Sequence, residues 1–136
     1  MNLDLAAAQH ILSQQPFSQL LGAELTRFGP DDIELQLPMR ADLHNQHGFA
    51  HGGVLSYLAD NALTYAGALA LGTAIVTAEF KINFLRPGRG ERLIARARVI
   101  AGGKRQAVCQ CDILAVHDGV EKPCAVAMGT ITTMAS

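Results

Sequence analysis

Tryptophan is absent from these 136 residues, and the aromatic side chains are five Phe and two Tyr. A base-stacking platform for nucleic acid needs more aromatic surface than that. An excess of positive charge is lacking as well. Eleven Lys and Arg stand against twelve Asp and Glu, for a net charge of -1 and a pI near 6.5. No electrostatic footprint for nucleic acid is present. No apolar run reaches the ~18 residues of a membrane span. The longest candidate, 62–71, is broken by Thr64, Tyr65 and Gly67. The first fifteen residues hold no Lys or Arg and carry Asp4, unlike a secretory signal. These absences lead us to expect a cytoplasmic protein with neither a nucleic-acid nor a membrane partner.

Cysteine is scarce too. Cys109, Cys111 and Cys124 make an odd number without CxxC spacing, which argues against a disulfide framework or a zinc site. Cys109 and Cys111 fall on one face of a strand, where a buried free thiol packs as a small hydrophobe.

What is present fits one domain, 1–136, with a core of its own. Residues 1–16 supply an N-terminal helix and lead-in, the helix over 3–14 with Pro16 beyond its end. A strand over 21–28 and the alternating 33–37 flank the turn signal Gly29-Pro30-Asp31-Asp32, and form a hairpin. Residues 54–71 contain no Pro and are rich in Ala and Leu, which favours helix. Apolar positions run nearly all round it, so the helix is buried on most sides. Beyond Gly72 the pattern switches to period two. In 75–85, Val76, Ala78, Phe80, Ile82 and Phe84 face one way, and Thr77, Glu79, Lys81 and Asn83 the other. Strands at 92–101, 105–116 and 123–133 follow, separated by Gly102-Gly103 and His117-Asp118-Gly119. One long helix against a curved antiparallel sheet is an α+β arrangement, with the helix wrapped by the sheet.

Residues 44–60, HNQHGFAHGGVLSYLAD, carry the chemistry. Gly52 and Gly53 stand where the long helix begins. The first N–H groups of a helix have no internal partner, and the dipole places partial positive charge there. Glycine lets a ligand oxygen approach closely. The triplet either polarises a carbonyl or only permits a sharp loop-to-helix turn. Asp60 is a carboxylate flanked by Leu58, Ala59, Ala62 and Leu63. Buried without compensation, it costs several kcal/mol. It is either bonded to a loop backbone or an Arg, or positioned to activate water or attack a carbonyl.

Gly52 and Asp60 are eight residues apart, which is ~12 Å along a helix axis. One reacting carbonyl cannot touch both within a chain. If both serve one reaction, Asp60 comes from a second, antiparallel copy of the helix, and a two-fold dimer supplies two such sites. Asn45 can add an amide donor from the loop or simply shape it. His44, His47 and His51 lack a completing Asp, Glu or Cys, so we expect no metal, and His51 holds the helix start. Thr77, on the less apolar strand face, either positions a water or reflects β propensity alone.

Asn45, Gly48, His51-Gly52-Gly53, Asp60 seven residues on, and TAEFKINFLRP at 77–87 together resemble the hotdog-fold acyl-CoA thioesterases of the phenylacetate-degradation (PaaI-like) type. The resemblance spans about 17–133. It implies a long helix wrapped by five or six antiparallel strands, and dimers that pair into homotetramers. It implies Asp60 as general base or nucleophile, and the Gly52 amide with Asn45 at the thioester carbonyl. Thr77 then orients water, while His51 and Gly48 take supporting roles beside Gly53. Arg86, Arg89, Lys104 and Arg105 are candidates for the CoA phosphates, or else solvated surface. The implied reaction is hydrolysis of an acyl-CoA to free acid and CoA, in a homodimer as minimal active unit. It needs no cofactor, CoA being part of the substrate. The alternative is a non-catalytic acyl-CoA-binding module acting as a sensor.

Overall fold

The computed structural model describes residues 3–134, so the expected domain span 1–136 extends two residues beyond the described residues at each end. The first helix, α1 (Leu5–Ser13), starts where Asp4 accepts the Ala7 N–H at 2.9 Å. A second, unexpected helix follows, α2 (Pro16–Leu21). Pro16 lies beyond the end of α1, as expected, and also opens α2, because the first helical position needs no N–H and the ring presets φ. Gly22 closes it at φ 82°, the left-handed cap that glycine adopts without strain. This helix takes Leu21 from the front of the expected 21–28 strand.

The strands are β1 (Glu24–Arg27), β2 (Ile33–Pro38), β3 (Ile75–Phe84), β4 (Arg92–Gly102), β5 (Gln106–His117) and β6 (Val120–Thr133). The long helix, α3 (Gly52–Leu71), lies between β2 and β3. All six strands form one antiparallel sheet in the order β1-β2-β4-β5-β6-β3, wrapped round α3. The chain enters one end of the sheet, crosses it as α3 and returns at the opposite edge as β3.

The sheet face toward α3 is built from small side chains. Ala97, Cys111 and Ala127 stand abreast on β4, β5 and β6, and Ala95, Ala107, Cys109, Ala115 and Ala125 are buried around them. Small residues let the helix sit close. At Gly67 a β-carbon would lie 2.7 Å from Ile131, so only glycine fits that crossing. Leu58, Ala59, Ala62, Leu63 and Ala66 close the layer from the helix side, each fully buried. Burying a Leu side chain contributes ~1.5–3 kcal/mol.

The helix is not buried all round in the single chain. Ser56, Tyr57, Asp60, Asn61 and Thr64 form a half-buried polar stripe. The β3 strand also departs from strict alternation. Thr77 pairs with Ile131, but Glu79 pairs with Thr130, so the register shifts at Ala78. That bulge turns Thr77 onto the face shared by Phe80 and Ile82, toward α3, and not onto the face of Glu79 and Lys81. Beyond β6 the ten residues of β3 form the sheet edge, with Val76 and Phe84 47% and 55% exposed.

Candidate active site

The loop before α3 is shaped by Asn45. Its Oδ1 accepts the His47 N–H at 2.9 Å and the Phe49 N–H at 3.4 Å, and its backbone carbonyl accepts the Gly48 N–H at 3.1 Å. Gly48 takes φ 82° there, closing the turn. The Asn45 side-chain carbonyl oxygen holds the loop, while its Nδ2 donors have no acceptor among the described residues.

His51 caps α3. Its Nδ1 accepts the Gly53 N–H at 2.8 Å, so the ring hydrogen sits on Nε2. A β-carbon at Gly53 would stand 2.9 Å from that Nδ1, so the cap leaves no room for a side chain there. The carbonyl of His51 accepts from Val54 and Leu55. That leaves the Gly52 N–H as the first-turn donor without a partner among the described residues. Gly52 and Asn45 line one cleft of about 310 Å³, walled by Leu55, Phe84 and Pro87. An unpaired N–H at a helix N-terminus together with a side-chain amide suits an oxygen that gains negative charge.

Asp60 lies elsewhere. It is half-buried and lines a separate cleft of about 400 Å³ with Tyr57, Thr64 and Thr77. Its Oδ1 accepts the Thr77 hydroxyl at 2.6 Å. The Thr64 hydroxyl donates to the Asp60 carbonyl at 2.8 Å and lies 3.0 Å from the Thr77 hydroxyl. Neither an Arg nor a loop backbone compensates the carboxylate; an open cleft and one hydroxyl do. Oδ2 is left without a partner among the described residues, as a base or nucleophile requires. The two clefts share no lining residue, so Gly52 and Asp60 face separate spaces within one chain.

The cationic candidates divide in the same way. Arg86 lines the Gly52 cleft, and the Arg89 guanidinium stands 4.9 Å over the Phe49 ring at its rim. Lys104 and Arg105 sit on the β4–β5 hairpin, where a β-carbon at Gly102 would lie 3.5 Å from Ala70 near the other end of α3. Within one chain they are not brought to Gly52. His47 stacks on Phe49 with ring centroids 5.8 Å apart, and His44 bridges to Ala50, so the three histidines serve separate local contacts.

A polar ring beside Asp60 had no signal in local spacing. Asn61 Nδ2 donates to Tyr57 Oη at 3.1 Å and to Gln15 Oε1 at 3.2 Å. Tyr57 donates to Ser18 Oγ at 2.6 Å, and Ser18 donates to Gln15 Oε1 at 2.6 Å. It joins α2 and its N-cap Gln15 to α3 across 39 to 46 residues of sequence.

A helix wrapped by this sheet, with an open N-terminal amide and a carboxylate two turns on, defines a hotdog thioesterase. Known proteins agree. Residues 47–122 match the thioesterase superfamily model. The acyl-coenzyme A thioesterase PaaI of Escherichia coli is 34% identical over 98 residues, covering 71% of this chain and 69% of that protein. A thioesterase family protein from Silicibacter pomeroyi superposes with a TM-score of 0.87 at 35% identity, over 93% of this chain and 95% of the other. A thioesterase from Haemophilus influenzae gives 0.83 at 31% identity, over 98% and 92%. The chain belongs to the thioesterase superfamily, as a PaaI-like hotdog thioester hydrolase.

Proposed function

We propose that this protein hydrolyses an acyl-CoA to free acid and CoA at a composite site formed by two copies of the chain. The observation that carries the proposal is the separation of the Gly52 and Asp60 clefts on one chain. Each half is chemically incomplete. A two-fold pairing through the free β3 edge, where Val76 and Phe84 are exposed, sets two α3 helices antiparallel and completes both halves at once. The same reading extends to a homotetramer of two such dimers.

In this site the thioester carbonyl oxygen rests between the Gly52 N–H and Asn45 Nδ2 of one protomer. Asp60 of the partner subunit faces the carbonyl carbon, its Oδ1 held by Thr77. As general base, its free oxygen takes a proton from water while the water oxygen bonds to carbon. As nucleophile, it bonds to carbon itself and water later cleaves the resulting anhydride. In either course the C–S bond breaks, the electron pair leaves on sulfur, and CoA departs as the thiol after taking a proton. Developing charge on the carbonyl oxygen strengthens both donor contacts. No metal or redox group enters these steps. Arg86 and Arg89 meet the CoA phosphates from the protomer that holds the carbonyl, and Lys104 and Arg105 from its partner. Three buried free thiols suit a reducing compartment, and we place the enzyme in the cytoplasm.

The test is a panel of short, long and aromatic acyl-CoAs, followed by release of free thiol. Turnover of at least one member by wild type, and its loss in Asp60→Asn, is the expected result. Saturable binding across the panel without turnover would replace the enzyme by an acyl-CoA sensor.

A further inference from the structure

A second cavity adjoins the Asp60 cleft. It measures about 200 Å³, and its apolar wall is Leu3 and Ile11 from the N-terminal segment with Tyr65, Ala68 and Ile75 opposite. Gln15, Asn61 and Thr64 line both spaces, so they form the boundary between them. We infer that this cavity, roofed by α1, is the subsite for the acyl tail, an unbranched apolar chain of medium length. The inference rests on the hydrolase reading above, since it takes Asp60 as the place where the carbonyl is attacked.

Three features support it. First, Asn61, Thr64, Tyr65 and Ala68 follow Asp60 on successive turns of one stripe of α3, so a tail leaving the carbonyl runs along the helix into the cavity. Second, the boundary is polar but largely satisfied within itself. The hydroxyls of Tyr57 and Ser18 and the amide hydrogens of Asn61 are all engaged in the ring, so a passing methylene chain strands few groups. Third, the roof is pinned. Tyr65 donates its hydroxyl to the Ala8 carbonyl at 2.9 Å and Gln9 Nε2 donates to the Leu25 carbonyl at 2.9 Å, which holds α1 over the cavity.

The dimensions set a length. Asp60 to Ala68 is eight residues, ~12 Å of helix. An extended chain advances ~3.3–3.6 Å per three bonds, so the path accommodates roughly ten bonds. At about 200 Å³ the cavity is also smaller than the ~300–1,000 Å³ of sites for larger ligands. A bulky polycyclic acyl group does not fit.

The experiment is a chain-length profile of kcat/KM from acetyl-CoA to palmitoyl-CoA for wild type, Ala68→Leu and Ile11→Ala. Wild type should peak near about eight to ten carbons. Ala68→Leu fills the far end, so its ratio of decanoyl to butyryl kcat/KM should fall by at least ~10-fold, chiefly through KM, as a misfit of a few methylenes requires. Ile11→Ala opens the roof and should move the peak to longer chains. Comparing ratios within each variant separates specificity from general damage. A uniform loss across the series, or a profile unchanged in both variants, overturns the subsite while leaving hydrolysis intact. Turnover of an aromatic acyl-CoA with none on the straight-chain series also overturns the subsite, whereas absence of turnover on both overturns the hydrolase reading, and this inference with it.

Discussion

Thr77 Oγ1 donates to Asp60 Oδ1 at 2.6 Å, across 17 residues of sequence and from strand to helix. The contact exists because the register of β3 shifts at Ala78. Without the bulge, Thr77 would share the outward face of Glu79. The hydroxyl fixes one carboxylate oxygen and leaves the other toward the cleft.

Asp60→Asn keeps an oxygen that can still accept from Thr77 and removes the base or nucleophile. We expect a folded protein by circular dichroism, with kcat lowered by at least ~100-fold. Thr77→Val should cost less, about 10-fold, the worth of one hydrogen bond to a charged group. Thr77→Ser should recover most of it. Wild-type rates in Asp60→Asn would remove the carboxylate from the mechanism.

Asn45 offers a cleaner separation of roles than alanine scanning allows. Asn45→Asp retains an Oδ1 acceptor for the His47 and Phe49 amides but eliminates the Nδ2 donors. The melting temperature should change little, while kcat/KM falls by ~10²–10³ as for loss of a well-aimed carbonyl donor. An unaltered kcat/KM would confine Asn45 to shaping the loop.

On the outer face of the sheet, Glu34 is 3% exposed. Burial pushes its carboxyl up, but hydrogen bonds from Thr26, Gln36 and Arg96 together outweigh that, and the group titrates below its ordinary value of 4.5. A carboxylate held low when folded stabilises the protein above the unfolded pKa, and that stability is lost as pH falls through the folded value. Melting temperature should therefore decline as pH drops below about 4.5. Glu34→Gln should flatten that decline. A variant that keeps the full acid dependence would assign it to other carboxylates.

The three thiols should be silent in the native state. Burial pushes Cys109 and Cys124 up to about 11 and raises Cys111 further still. A disulfide reagent at neutral pH should find no reactive thiol until denaturant is added, and then three per chain. Rapid labelling of native protein would contradict the packing described. The point has practical use, because the signal in a thiol-release assay then comes from CoA alone.

The long helix and the four long strands after it were legible because each repeats its period over many residues. The strand order was not: β4, β5 and β6 are consecutive neighbours, whereas β3 pairs with β6 at the edge and not with β4. Also legible was the placement of Gly52 at the helix start and of Asp60 about two turns on, which depends on residue type and on the fixed rise of a helix. The short helix α2, which meets the expected 21–28 strand only at Leu21, carried its own punctuation in Pro16 and Gly22. The bulge at Ala78 carried none. No glycine or proline marks it, and it is set by pairing with β6. Thr77 therefore stands on the face opposite to the one that strict alternation predicts. The ring of Gln15, Ser18, Tyr57 and Asn61 joins α2 and its N-cap to α3 only after the chain has folded back, so no local pattern announces it.

The central claim is that one chain's Gly52 works with the other chain's Asp60, and subunit exchange tests it most directly. Gly52→Val is a suitable second lesion, because a β-carbon there already stands 3.4 Å from the Phe84 ring and branching would obstruct the cleft. Asp60→Asn and Gly52→Val homodimers should each be inactive. In the mixed dimer one site holds both lesions and the other holds neither, so activity should return to about half of the wild-type sites per heterodimer. Co-expression with two different tags isolates that species. Confirmed heterodimers that remain inactive would contradict the composite site.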